Sequence, residues 1–402
     1  MKSGLLESSR SLRAAALFAL LPVIAASPAA ASFSSCVAGI KEAAVRAGVS
    51  RSVASRALDI AQPDEKVLRL SEVQPEFKTP IWDYLGFLVD EQRVADGRAM
   101  MRQYDQILRA AERRFGVDRH VIAAVWGVET DYGREAGDNY LPHALATLVC
   151  EGGRRTNFWR GELIAALKLV DDGDLRLDEL YGSWAGAFGQ TQFIPSTYQR
   201  LAVDFDGDGR RDLVRSVADA LGSTANYLKR SGWQPGASWM IEVTVPRGYD
   251  GPTGRGHKSS LSSWAQRIVL RADGARLSAG AQASLLLPAG PQGPGFLVFR
   301  NFDAIYSYNQ AESYALAISH LADRLAGHPP LRTPWPTDDP GLTRAERRHL
   351  QQLLLANGYT SGEADGKIGS ITRAPIADAE RRFGMPPTGR PGQKIYRALG
   401  GR

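Results

Sequence analysis

A single glutamate, Glu129, closes the apolar run of the stretch AAVWGVETDYGR, just ahead of the turn-forming Asp131, Tyr132 and Gly133. Val125, Trp126 and Val128, with Ile122 one turn before Trp126, surround it with apolar groups if the segment is helical. Burial of a carboxyl against such groups favours its protonated form and raises its pKa. A general acid working near neutral pH requires that property. The usual glycosidase scheme adds a second carboxylate. Asp131 is the nearest in sequence, but two residues correspond to about 200° around a helix, so it points away unless the helix has already ended. From this segment alone, a lone acid/base and a glutamate at a solvated helix end both stay open.

Two other stretches carry chemistry. YGSWAGAFGQTQFIPSTY concentrates Gly, aromatic, Ser, Thr and Gln residues. Small residues let a backbone approach a ligand closely and aromatics stack on sugar faces, which suits a carbohydrate groove. DFDGDGRRD places Asp204, Asp206 and Asp208 at alternate positions with Gly209 at the sharp turn, as at the start of a calcium loop. Arg210 would offer its carbonyl and Asp212 a direct or water-mediated oxygen. Arg215 stands where the bidentate Glu is expected, and the next acid is Asp219. A solvated Asp-Gly turn is the other reading. Any such ion would be structural.

Taken together, VWGVETDYGR, GAFGQTQFIPSTY, DFDGDGRRD, NYLKRSGW and YSYNQAESYALAI resemble the soluble and membrane-bound lytic murein transglycosylase B family, glycoside hydrolase family 103, in family order across residues 33–326. The resemblance implies a lysozyme-like core with added helical and small β elements, and it makes Glu129 the sole catalytic acid/base. It implies cleavage of the MurNAc-GlcNAc bond without water, giving 1,6-anhydromuramyl ends, with no cofactor required for the chemistry. It further implies that Ser183 orients the Glu129 carboxyl and that Gln192 bonds substrate. Tyr84, Tyr227, Tyr308, Asn309 and Tyr314 would line the cleft, where Tyr joins a flat apolar face to a hydroxyl. A hydrolytic muramidase or a non-catalytic wall-binding scaffold are the alternatives.

The tail resembles a small three-helix peptidoglycan-binding domain at Leu350-Gln351, Leu354, Gly358-Tyr359, Asp365-Gly366, Ile368-Gly369, Thr372, Ile376 and Thr388-Gly389. Pro375, tolerable only near a helix start, and Ala379-Glu380, where the family has an aromatic followed by Gln, depart from its pattern.

The elements that must position these groups can be read along the chain. Residues 38–115 have helical periodicity, and VDRHVIAAVWGVE reads as a helix with Asp118 as its N-cap. FWRGELIAALKLV, SVADALGSTANYLKRSG and AESYALAISHLADRL are further helices, while MIEVTV, ASLLLPAG and GFLVFRN are short β-prone runs among Gly/Pro turns. The expected class is α+β, predominantly α. The expected organisation is a signal peptide at 1–31, a catalytic domain at 32–326, a Pro-rich linker at 327–341 and a binding domain at 342–402.

Lys2, Arg10 and Arg13 precede the apolar AAALFALLPVIAA and the small-residue SPAAAS, a secretory pattern with cleavage after Ala31. A periplasmic product follows. FSS before Cys36 lacks a lipoprotein signal, and no later run approaches the roughly 20 apolar residues of a spanning helix. Cys36 and Cys150 are the only cysteines, and in an oxidising compartment they are expected to be paired. That bridge would contribute on the order of 4 kcal/mol in the chain-entropy model. The formal charge of +6 keeps a modest basic excess after signal removal, which suits an anionic wall. The aromatic-basic interleaving of nucleic-acid readers is missing. Glycan strands and other wall enzymes are the expected partners of a monomer.

Overall fold

A computed structural model describes residues 28–72, 79–277 and 280–402, so the apolar leader and its charged start lie outside the described residues. The class is the expected one: helices dominate, with one five-stranded sheet and one two-stranded ribbon. No helix among the described residues is long and apolar enough to cross a membrane.

The helix Arg119–Thr130 carries Glu129 at its end and is the axis of the largest core. Asp118 caps its start by accepting the His120 amide at 2.8 Å. Residues Val121 to Gly127 are buried without a break, so the helix is covered on every side rather than along one stripe. Around it pack the helices Glu91–Gln103, Asp105–Phe115, Val217–Arg230 and Glu312–Leu325, with Glu312–Leu325 making the most extensive contact and Ile81–Leu88 packing on Glu312–Leu325 in turn.

A second core joins the N-terminal helix Pro28–Arg46 to the helices Leu141–Cys150 and Thr156–Asp171. A disulfide between Cys36 and Cys150, with Cα atoms 5.9 Å apart, ties the first of these helices to the second. The ribbon pairs β1 (Asn139–Tyr140) with β2 (Tyr181–Gly182) and fixes the loop that holds Ser183. At Gly137, φ is +94° and an added Cβ would sit 2.4 Å from the Gly182 backbone, so only glycine fits this approach.

The β-prone runs form an antiparallel sheet in the order β4-β6-β7-β3-β5, from β3 (Met240–Thr244), β4 (Lys258–Ser260), β5 (Leu270–Arg271), β6 (Gln282–Leu286) and β7 (Gly295–Val298). Trp264 fills its separate core and donates from Nε1 to the Ala283 carbonyl at 2.9 Å.

The Pro-rich stretch runs as irregular, bent chain against the body, with the Arg332 and Thr333 amides donating to the Glu242 carboxylate. Beyond it the helices Arg344–Ala356, Ser370–Arg382 and Gln393–Ala398 enclose a small core of their own. Pro375 sits inside Ser370–Arg382, deeper than the helix start where it is best tolerated. Glu380, which departs from the tail's expected pattern, is buried and accepts from the Thr388 hydroxyl at 2.7 Å and the Gly389 amide at 2.8 Å. It therefore closes the loop of the Thr388-Gly389 motif.

Candidate active site

Glu129 stands on the last turn of its helix, and the chain leaves that turn through Asp131, Tyr132 and Gly133, all at positive φ. Its carboxyl Oε1 accepts a short hydrogen bond from the Tyr314 hydroxyl. Burial drives the Glu129 pKa up to about 7, and the Tyr314 bond, which favours the carboxylate, opposes that rise without cancelling it. A half-protonated carboxyl at neutral pH can donate a proton and take one back.

Asp131 is no second catalytic carboxylate. It is the left-handed C-cap of the helix, buried, and held by Arg344, Arg93 and Arg134. Burial alone would raise its pKa, but the Arg344 hydrogen bonds and the three positive charges outweigh burial and keep it below the ordinary carboxylate value. The pKa values of the two acids, two residues apart, are thus shifted in opposite directions.

Four tyrosines lead away from Glu129 in contact with one another, and the first of them, Tyr314, touches the carboxyl. Tyr314 lies on Glu312–Leu325 and its ring stacks on Tyr308 with centroids 6.3 Å apart. Tyr308, at the end of the helix Arg300–Asn309, donates to the Thr191 carbonyl at 2.7 Å, and Tyr227 donates to the Ser307 carbonyl at 2.7 Å. Their ring centroids lie 4.7 Å apart, and their hydroxyls tie the helices Val217–Arg230 and Arg300–Asn309 to each other and to the Gly-rich loop. Tyr84, half-buried on Ile81–Leu88, faces Tyr314, whose pKa is raised by burial first and then by the nearby Glu129, Tyr308 and Tyr84. Asn309 is exposed at the end of its helix.

The Gly-rich loop is bound to the glutamate helix by groups other than those singled out in the sequence. Gln190 accepts from the Trp126 indole at 2.9 Å, and its carbonyl accepts from the Thr130 hydroxyl at 2.5 Å. The Thr130 hydroxyl also receives the Gly133 amide at 2.9 Å, which fixes the turn that follows Glu129. Gln192 lies at φ 54° and donates its side-chain amide to the Ala136 and Gly189 carbonyls, at 2.9 and 3.0 Å, leaving its Oε1 to accept. The Ser183 hydroxyl oxygen accepts the Ala187 amide at 3.0 Å. Among the described residues the Glu129 carboxyl accepts from the Tyr314 hydroxyl, while the Ser183 hydroxyl is turned to the Ala187 amide, so direct orientation of the carboxyl falls to Tyr314 here. Gln190 had a visible signal, its place two residues before Gln192 in GQTQF, but nothing in the sequence distinguished which glutamine faces the helix.

Of the calcium-loop positions, Asp204, Asp206 and Asp219 are brought together, each offering an oxygen within 4.8 Å of the others. Asp219 is fully buried and receives the Phe205, Asp206 and Asp212 amides. Burial raises its pKa against these bonds. Such a cluster of hard carboxylate oxygens fits a calcium ion. Asp208 and Asp212 lie outside this trio: Asp208 is exposed and accepts the Arg210 amide, while the Asp212 oxygens accept from the Val214 and Arg215 amides and the Arg215 guanidinium. Arg210 turns its guanidinium to the Asp174 carbonyl at 3.4 Å.

Residues 32–323 match the model of the transglycosylase SLT domain, and residues 343–399 match that of the putative peptidoglycan binding domain. The chain is 34% identical over 290 residues to membrane-bound lytic murein transglycosylase B of Escherichia coli, covering 69% of this chain and 79% of that protein. SltB3 from Pseudomonas aeruginosa, solved in complex with NAG-anhNAM-pentapeptide, superposes with a TM-score of 0.73 and 42% identity, over 91% of this chain and 99% of that one. The Escherichia coli lytic transglycosylase Slt35, solved in complex with calcium, gives a TM-score of 0.64 and 32% identity over 76% and 94% of the two chains.

Proposed function

The chain belongs to the transglycosylases of the SLT-domain family and is a lytic murein transglycosylase with a lysozyme-like core; on that premise we propose that Glu129 alone supplies its acid and base. The observation that carries this reading is the Glu129 carboxyl itself, raised to about 7 in a tyrosine-lined site whose nearest acid in sequence is locked in ion pairs.

Glu129 in its protonated form donates to the glycosidic oxygen between N-acetylmuramic acid and N-acetylglucosamine, and the C1–O bond breaks. The carboxylate left behind is stabilised by the Tyr314 hydroxyl. It then takes the proton of the muramyl C6 hydroxyl, whose oxygen closes onto C1. The proton returns to Glu129, water is not consumed, and the product carries a 1,6-anhydro ring. The substrate's own acetamido group can support the cation-like intermediate, as in substrate-assisted glycosidases. Tyr308 and Tyr227 offer apolar ring area to sugar faces, and Gln192 an acceptor oxygen, on the near wall. The C-terminal module holds glycan, and the leader directs export to the periplasm, where murein lies.

Mass spectrometry of fragments released from purified sacculi tests the reading. Anhydromuramyl ends are expected. Reducing muramic ends would replace it with hydrolysis, and binding without release would make the protein a scaffold.

Two further outcomes follow from the site. Tyr314→Phe removes the bond that favours the Glu129 carboxylate, so the alkaline limb of the kcat/KM profile is expected to move above its wild-type position near 7, with kcat about tenfold lower. An unmoved limb would separate Tyr314 from the titration. Calcium is proposed as a structural ion held by Asp204, Asp206 and Asp219. Chelation should then lower the Tm, calcium at about a hundred times its Kd should restore about 2.7 kcal/mol, and Asp219→Asn should abolish the response. A melting curve indifferent to calcium would remove the ion from the account.

A further inference from the structure

The end of the Glu129 helix is an unusual piece of backbone. Asp131 at φ 51° and Tyr132 at φ 60° are consecutive left-handed residues, and neither is glycine. Each such residue is unfavourable by itself and persists only where the surroundings over-determine it. The surroundings here come from two parts of the chain. From the catalytic part, Arg93 pairs with Asp131 at 3.4 Å, Arg134 at 3.0 Å, and the Thr130 hydroxyl receives the Gly133 amide.

The remainder comes from the C-terminal module. Arg344, on the first turn of its first helix, donates Nη1 and Nη2 to the two Asp131 oxygens, both at 3.0 Å, the parallel fork that gives arginine–carboxylate pairs their geometric precision. Its backbone amide donates to Asp90 Oδ2 at 3.3 Å, while Asp90 Oδ1 caps the helix Glu91–Gln103 through the Arg93 amide at 2.8 Å. One buried aspartate thus joins the starts of two helices on opposite sides of the junction. The contact extends on both sides. Lys367 pairs with Glu135 at 3.2 Å, Arg347 lies over the Phe87 ring at 4.3 Å, and Arg390 donates to Asp83 at 2.7 Å, one residue before Tyr84. A module that only tethered the enzyme to the wall would have no use for a buried bidentate pair two residues from the catalytic acid.

We propose that Arg344 is a positioning residue for the reaction: through its fork on Asp131 the C-terminal module fixes the left-handed end of the Glu129 helix, and so acts on turnover as well as on wall binding. The inference rests on Glu129 being the acid/base. Loss of Arg344 leaves Asp131 with Arg93 and Arg134, so the charge stays compensated and the fold survives, but the fork that reaches that turn from the C-terminal module is gone.

The test uses the full-length chain and a soluble GlcNAc-MurNAc tetrasaccharide, which removes wall tethering from the readout. Wild type must first yield anhydromuramyl ends; their absence would sink the reaction assignment and the inference with it. Arg344→Ala is then expected to lower kcat about tenfold with KM within about twofold and with binding to sacculi retained. Arg344→Lys restores the charge with a single ammonium instead of the fork and should recover part of the loss. Hydrogen exchange supplies a second readout in the same variants. The Asp131 and Tyr132 amides, bonded to the Gly127 and Trp126 carbonyls at 3.0 and 3.2 Å, should exchange faster in Arg344→Ala, while amides of residues 350–399 keep their protection. Wild-type kcat in Arg344→Ala, a loss confined to KM or sacculus binding, or unchanged exchange at residues 131 and 132 would overturn the positioning role and leave the reaction assignment standing.

Discussion

Glu129→Gln is expected to reduce the release of anhydromuramyl products by about a thousandfold, within the range that a positioned general acid contributes. Glutamine keeps the shape of the side chain and can still accept from Tyr314, so sacculus binding should persist while proton transfer is lost. The same variant carries a stability signature that a scaffold reading does not anticipate. The folded pKa of Glu129, about 7, lies above its ordinary value of 4.5, so the folded state binds the proton more tightly than the unfolded chain. The associated stability is fully present below 4.5 and is lost as pH rises through 7. Glutamine cannot ionise and escapes that loss. At pH 8 the variant should therefore be more stable than wild type by about 2 kcal/mol, a figure reduced from full burial because the residue is partly open to solvent. At pH 4 the two should coincide. Denaturant melts at both pH values check the sign, and a variant less stable than wild type at pH 8 would refute the burial account of this carboxyl.

The sequence made some of this legible because it rests on local chemistry. An apolar helix ending in a glutamate, alternating aspartates around glycine and two lone cysteines each constrain neighbours within a few residues or follow from the compartment. The helix Arg119–Thr130, with its Asp118 cap and continuous burial, is where local propensity and tertiary packing agree. What stayed hidden depends on groups far apart in the chain. Tyr314 meets Glu129 across 185 positions and Arg344 meets Asp131 across 213, and no periodicity encodes such pairings. Asp212 stands apart from the Asp204, Asp206 and Asp219 cluster for the same reason. Its spacing suited a calcium loop, but the fold turns its oxygens to Val214 and Arg215 and brings Asp219 in from the next helix. Gln190 and Gln192 show the limit most plainly. They are identical in type and two apart, and only the left-handed backbone at Gln192 separates their directions.

These pairings put the acid under control from three directions: Tyr314 on the carboxyl, Gln190 on the helix flank through Trp126, and the arginines on the turn beyond. Catalysis by one carboxyl that must both give and receive a proton depends on holding that group within a fraction of an ångström through two transfers. A rigid frame therefore substitutes for the second carboxylate that a hydrolase would use to activate water. It follows that the helix should tolerate little change in packing near its end, even at residues that never touch the substrate.

Gly127→Ala tests that intolerance and is expected to have the second largest effect. Gly127 lies inside the catalytic helix, where alanine is ordinarily the better residue by about 1 kcal/mol. An added Cβ would meet the Tyr132 ring at 2.6 Å, closer than real Cβ contacts come. The ring has nowhere to move. Its hydroxyl donates to the Arg93 carbonyl at 3.0 Å, its edge packs against Trp126 with centroids 5.6 Å apart, and on the far side Gly97 leaves no more room than Gly127 does. Relief must come from the turn at Asp131 and Tyr132 or from the helix itself, and either displaces Glu129. The expected cost is about 3 kcal/mol of stability from overpacking and about a hundredfold in kcat from a misplacement near 1 Å. Gly161→Ala provides the comparison, because it too lies within a helix but its Cβ would meet nothing within 4 Å, so it should be neutral or stabilising. Melting temperatures and turnover measured side by side decide the matter: should Gly127→Ala behave like Gly161→Ala, the packing of Tyr132 does not set the position of the acid.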